Sequence, residues 1–284
     1  VTIGSSAFVT KADNGTATWT FDGTGTNTWT DNASTTQDLG LVIIDGTTKT
    51  INLGSSVRAT KVTVTDTLGL ASSGYTLTLT GSGQAASQPL TVTGTLNEGT
   101  SSTVDYIGSG TSDIERETYW NLSVRPGGAV THHAEGGGTL TVSVNLTVGD
   151  GASAGTFNLD TNDRVVDVDG NVTISASGTL TASASAALTV GGNWDTNGTF
   201  THSSGTVTLD AADTDNTIEC GASSFSALTL AGTDGSGTWT MQTDACTVAG
   251  TLNVDTSDIL TITGVTLTHS GSTLTLAGTI SGTG

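Results

Sequence analysis

The chain has 284 residues, with 7 Lys and Arg against 26 Asp and Glu, a formal net charge of −19. So few cations cannot neutralise a phosphate backbone, which argues against a nucleic-acid partner, and no apolar run approaches the ~20 residues of a membrane-spanning helix. Two prolines and 39 glycines, with a surplus of Thr and Val, exclude a Pro-rich disordered linker and favour extended backbone, so the chain reads as all-β.

Asp outnumbers Glu and the charge is scattered, as suits turns and solvated faces. From Val1 to Asp45 the pattern is ragged, with two short Trp-bearing strands at Ala17–Gly23 and Asn27–Asp31. The apolar run Leu39–Asp45 predicts a fully buried strand. Tyr75–Gly81 alternates, placing Leu77 and Leu79 on one face and Thr76, Thr78 and Thr80 on the other. The Gly/Ser phrase between Gly81 and Ser87 reads as an ordinary turn, with no linker-like break.

The stretch from Val168 to Asp210 overlays itself when slid by a fixed step: Val168 meets Leu188, Ile174 meets Trp194, and Gly178–Thr181 meets Gly198–Thr201. A short strand, a Gly turn and another short strand at a fixed period signal a solenoid. A longer echo overlies it. Phrases near Thr18, Thr103 and Thr206 resemble one another. Each is followed by an apolar strand (Leu39, Tyr119, Phe225) and then a Thr-Val phrase (Thr63, Thr141, Thr247). The reading is a parallel β-helix (β-solenoid) with irregular coils, one elongated domain over 1–284, with super-repeats at about 1–98, 99–204 and 205–284. Tandem immunoglobulin-like β-sandwiches are the alternative, but they give no reason for the finer period. At the C-terminal end, phrases closing on Gly250, Gly264 and Gly278 recur at an equal spacing that is short for a three-sided coil, which suggests narrow two-sided coils or hairpins. Leu188, Val190, Val207, Leu209, Leu260, Ile262, Leu274 and Leu276 are expected to point inward, with Thr between them pointing out. A chain that opens at Val1 without Met and stops in a repeat-like phrase at Gly284 reads as a mature chain or a fragment of a longer protein.

Candidate sites are few. Cys220 and Cys246 are separated by close to one coil and are expected to form a disulfide. Asp167, Asp169 and Gly170 form a fragment of a calcium loop, and Asp213 and Asp215 a second acidic turn; both read first as solvated turns and second as weak calcium ligands. No other cofactor is expected. A carboxylate-based lyase needs a nearby cation, and only Arg164 is close in sequence. His132, His133, His202 and His269 are scattered and read as surface or coil-edge residues. Of the tryptophans, Trp194 falls opposite Ile174, so core filling outweighs sugar stacking. Asn14, Asn32, Asn121, Asn145, Asn171 and Asn197 each head an Asn-x-Ser/Thr triplet and are possible glycosylation sites. Rows of outward Thr would suit ice, but the coils vary too much in length.

The phrases Leu188–Asp210, Ser223–Gly232, Tyr119–Val124 and Thr247–Val254 resemble the Gly/Thr-rich repeat tracts of bacterial and archaeal surface proteins, the adhesin-like and filamentous-haemagglutinin-like β-helix proteins. That resemblance covers Tyr75 to the end and implies export to the cell surface, a structural or adhesive role and no enzyme activity. The expected function is an extracellular scaffold that self-assembles through its terminal strands into a filament, sheath, stalk or lattice, with cell-surface glycans as possible partners. The alternative is a glycan-binding or glycan-processing β-helix of the tailspike type.

Overall fold

A computed structural model describes residues 2–4, 18–70, 73–232 and 236–283. The chain winds as a parallel β-solenoid of about 11 turns. The strand pairs among the described residues run parallel, which an antiparallel sandwich cannot provide. At about 4.8 Å per coil the stack is on the order of 50 Å long.

Each regular coil has three sides. The first face stacks Val165–Val168, Leu188–Val190, Thr206–Leu209, Ala227–Leu230, Leu252–Val254 and Leu274–Leu276. The second stacks Asn171–Ile174, Trp194–Thr196, Asn216–Glu219, Thr238–Met241, Ile259–Thr263 and Thr279–Thr283. The third carries Thr156–Asn158, Thr179–Thr181 and Thr199–Thr201, then Ser224–Phe225, Cys246–Val248 and Leu267–His269. The corner between the first two faces is tight. A Cβ on Gly170 would overlap the Val144 carbonyl, and one on Gly191 the Asp169 carbonyl, so only glycine fits there.

This geometry corrects two readings of the repeat. The even spacing of the phrases that close on Gly250, Gly264 and Gly278 does not mark narrow coils. Cys246–Val248, Ile259–Thr263 and Leu274–Leu276 lie on three different faces, so each echo steps two sides around a three-sided turn. The step that overlays Gly178–Thr181 on Gly198–Thr201 is the true register of the third face, where Leu180 pairs with Phe200. On the other faces Val168 pairs with Val190 rather than Leu188, and Val172 rather than Ile174 pairs with Trp194. The corner after Ile174 is longer than the one after Thr196, which absorbs the difference. A miscount by two positions leaves every side chain on its correct side, because strand periodicity is two.

Alternation fills the interior. Leu188, Val190, Val207, Leu209 and Leu260 are buried, while Ile262 is partly so. Leu274 and Leu276 are instead 53% and 50% exposed, because no described coil lies beyond theirs. Leu39–Asp45 is not buried on both sides. Its strand Leu41–Ile44 alternates, and Ile43 stands half-exposed in an outward row between Thr20 and Thr63. Within each long echo the phrases stack on successive coils, but the three echoes fall on different ladders: Thr18–Phe21, Leu41–Ile44 and Lys61–Val64 in one sheet, the phrases after Thr103 on the second face and those after Thr206 on the first.

One irregularity divides the stack. The coil that carries Val62 round to Leu90 is longer than the one that carries Val42 round to Val62, and the excess includes a 3₁₀ turn at Ala85–Ser87. The sheets ending in Leu90–Val92 and in Thr95–Asn97 stop at this coil. Among the described residues only the second-face ladder continues, from Val57–Ala59 through Thr76–Leu79, Thr103–Tyr106, Thr118–Val124 and Thr139–Val148 to Asn171–Ile174. The Gly81–Ser87 phrase is therefore where two ladders break, not an ordinary turn.

Candidate functional site

The outward side of the second face carries two rows. Asn121, Asn145, Asn171 and Asn193 stand in register, followed by Thr217. Asn145 Nδ2 donates to Asn121 Oδ1 at 3.2 Å, and Asn171 Nδ2 to Asn145 Oδ1 at 3.0 Å. Farther along, Asn171 Oδ1 accepts the Asn193 N–H and Asn193 Oδ1 the Thr217 N–H, each at 2.8 Å. Asparagine suits a ladder of parallel coils because its amide donates to one neighbour and accepts from the other. The adjacent row is Ser123, Thr147, Thr173, Asp195 and Glu219. Together Asn145, Thr147, Asn171, Thr173, Asn193, Asp195, Thr217 and Glu219 line an open polar groove of about 430 Å³. Burial, and then the Glu219 charge, raises the Asp195 carboxyl above its usual range.

A second cleft of about 350 Å³ is lined by Asp169, Gly191 and residues 210–213. Burial and then the Asp169 charge raise Asp167, and burial and then the Asp167 charge raise Asp210. Asp213 Oδ1 instead accepts the Asn216 amide at 2.8 Å, and the Asp215 N–H donates to Thr238 Oγ1 at 3.1 Å, so these two shape a turn. Among the described residues, no three His, Cys, Asp or Glu side chains come together as a metal site. Arg164 is buried and donates from Nη1 to the Gly138 carbonyl.

His132 is not at a coil edge. Its register between Ser112 and Phe157 turns it into the core. Burial drives it down to about 4. His133 is half-exposed, His202 Nδ1 lies 3.0 Å from the Ser203 carbonyl, and His269 Nε2 lies 2.8 Å from that of Gly250. Trp29, Trp194 and Trp239 are buried, and Trp194 packs edge-on against Phe200 at 4.8 Å; only Trp19 is substantially exposed. Cys220 and Cys246 are joined by a disulfide across the interior, with Cα atoms 5.5 Å apart.

The sequons divide by position. Asn14 lies outside the described residues. Asn121, Asn145 and Asn171 commit Nδ2 to hydrogen bonds, Asn121 donating to the Ser102 carbonyl at 3.0 Å. Asn32 and Asn197 are exposed, and Asn197 Nδ2 donates to Asp195 at 2.8 Å.

Sequence reasoning missed the gathering of ionisable groups around the broken coil. Glu98, Glu115, Glu117 and Glu135 are all the glutamates of the chain except Glu219. Glu115 is buried and accepts from Gln88 Nε2. Its backbone N–H faces Tyr106 Oη at 3.4 Å, its carbonyl accepts the Tyr119 hydroxyl at 2.7 Å, and the two hydroxyls are 3.2 Å apart. Burial, then the Glu135 charge, pushes the Glu115 carboxyl up to about 7. Burial also raises Tyr106 and Tyr119, which stay neutral. Arg125 Nε donates to the buried Asp105 at 3.0 Å, and this contact raises Arg125 further. The clue lay in plain view: glutamate is almost confined to residues 98–135.

No helix among the described residues is long and apolar enough to cross a membrane. Comparison with protein-family models, with curated proteins and with solved structures gives no match.

Proposed function

We propose that the chain is a rigid structural element of an extracellular or cell-surface assembly, a shaft or adhesive stalk that associates with further copies of itself. The observation that carries this reading is the second-face ladder, which runs without a break from Val57 to Thr283. A backbone ladder over buried aliphatic stacks resists bending and stretching along its whole length, as a spacer requires. The disulfide fits an oxidising compartment. Surface labelling of intact source cells and electron microscopy of purified material test the proposal. Labelled surfaces and end-to-end multimers are expected; a monomer at every concentration, confined to the cell interior, would sink it.

A second reading rests on the polar groove. Four successive coils each offer two hydrogen-bonding side chains there, and Asp195 and Glu219 exclude an acidic ligand. A neutral oligosaccharide laid along the axis suits that array. Calorimetry with neutral linear oligosaccharides decides it: Thr173→Arg should abolish binding while leaving the fold intact.

A further inference from the structure

The broken coil leaves the strand Leu90–Val92 as the last of its sheet. Beside a single backbone bridge between Gly83 and Ser112, side-chain contacts span the gap in place of a strand ladder. Gln84 Nε2 donates to Asp113 Oδ1 at 3.3 Å, the Ala85 N–H to Asp113 Oδ2 at 2.7 Å, and Gln88 Nε2 to Glu115. The Val92 N–H also reaches the Glu115 carboxyl. Glu115 thus occupies the place where the next strand would have bonded.

The pairing is incomplete if Glu115 is a carboxylate. Gln88 is buried, and its Oε1 has no donor among the described residues. A buried acceptor without a donor is costly. A carboxylate cannot supply that donor, but a carboxylic acid can. Turned edge-on to the amide, a neutral Glu115 accepts from Gln88 Nε2 and donates its O–H to Gln88 Oε1, closing a reciprocal pair. The surroundings favour the neutral form. Glu135 and Glu117 repel a charge on Glu115, and Glu98 adds to the field on Glu117. The Tyr106 and Tyr119 hydroxyls are neutral; the backbone N–H of Arg116 is directed to Glu135 at 3.2 Å, and its guanidinium donates to the Gly136 carbonyl at 3.4 Å and offsets the raising of Glu117.

We propose that Glu115 and Gln88 form a proton-dependent latch, closed as an acid–amide pair, that holds the N-terminal coils on the rest of the solenoid where two of the three ladders are broken. Loss of the proton leaves a buried carboxylate among other glutamates and Gln88 Oε1 unpaired, so the latch opens as the pH rises to neutrality. A carboxyl raised in the folded state contributes stability fully below its unfolded value and loses it as pH rises through the folded one. The window runs from the ordinary 4.5 up to about 7. The latch is independent of what the shaft is attached to.

Carbon-13 NMR of the side-chain carboxyls in the whole chain tests this directly, with Glu115→Gln identifying the resonance. Glu115 is expected to titrate near neutrality. Amide exchange of Leu90–Val92 and Thr95–Asn97, corrected for intrinsic rates, should accelerate roughly ten- to hundredfold between about pH 5 and about pH 8. In Glu115→Gln, which keeps a neutral amide pair, that acceleration should vanish. Titration of Glu115 in the ordinary carboxylate range would overturn the latch, as would an unchanged pH dependence in the variant. If the variant does not fold, the Glu115 carboxyl is assigned through its backbone connectivities and its titration in the unaltered chain decides alone.

Discussion

The coil through Thr179–Thr181 and the coil that carries Gln88 draw on the same few residue types, yet the first pairs with the coil after it on all three faces and the second, paired on three sides with the coil before it, passes only one ladder on to the coil after it. The regular coil places an aliphatic or aromatic residue at each inward position, and its neighbours supply the matching row. The broken coil adds a 3₁₀ turn, and the gap is bridged by Asp113, Glu115, Gln84 and Gln88. Ladder pairing is cooperative and insensitive to pH. Side-chain bridging is local and carries protons, so a break in a solenoid is where chemical sensitivity can enter an otherwise inert rod.

The largest expected effect lies in the regular coils. Trp194→Ala removes a buried ring packed on Phe200 and Phe225, and should cost about 3–5 kcal/mol in denaturant unfolding. Cys220→Ser with Cys246→Ser opens a link across a sequence separation of 26 and should cost roughly 3–4 kcal/mol. Near the break, His132 acts against Glu115. Its buried ring sits at about 4 against an ordinary 6.5, so stability is full above 6.5 and falls as pH drops toward 4. His132→Phe should flatten the acid limb of a thermal-stability profile and leave the alkaline limb unchanged. Smallest is Asn171→Ala, which removes one rung of the amide ladder and should cost about 1–2 kcal/mol, read as a lowered denaturant midpoint.

Much of the fold was legible because strand parity survives counting errors. The step from Val168 to Leu188 put Trp194 inward although its true partner is Val172, not Ile174. The break was illegible because the phrase from Gly81 to Ser87 has the composition of any turn; its extra length shows only once the coils before it are counted. His132 was misplaced because a polar residue in an apolar row breaks the hydrophobic pattern that assigns the row. The Asn ladder hid as sequons. The intervals from Asn121 to Asn145 and from Asn145 to Asn171 are unequal, and only the register shows that each is one coil.

That ladder bears on where the chain can be made. In a host that transfers oligosaccharides to nascent Asn-x-Ser/Thr triplets, a sugar on Asn145 would arrive before the coils close. It would leave Nδ2 a single N–H and wedge a bulky group between amides held about 4.8 Å apart. Recombinant production therefore belongs in cells lacking such transferases, or with the three triplets disarmed at their third residue.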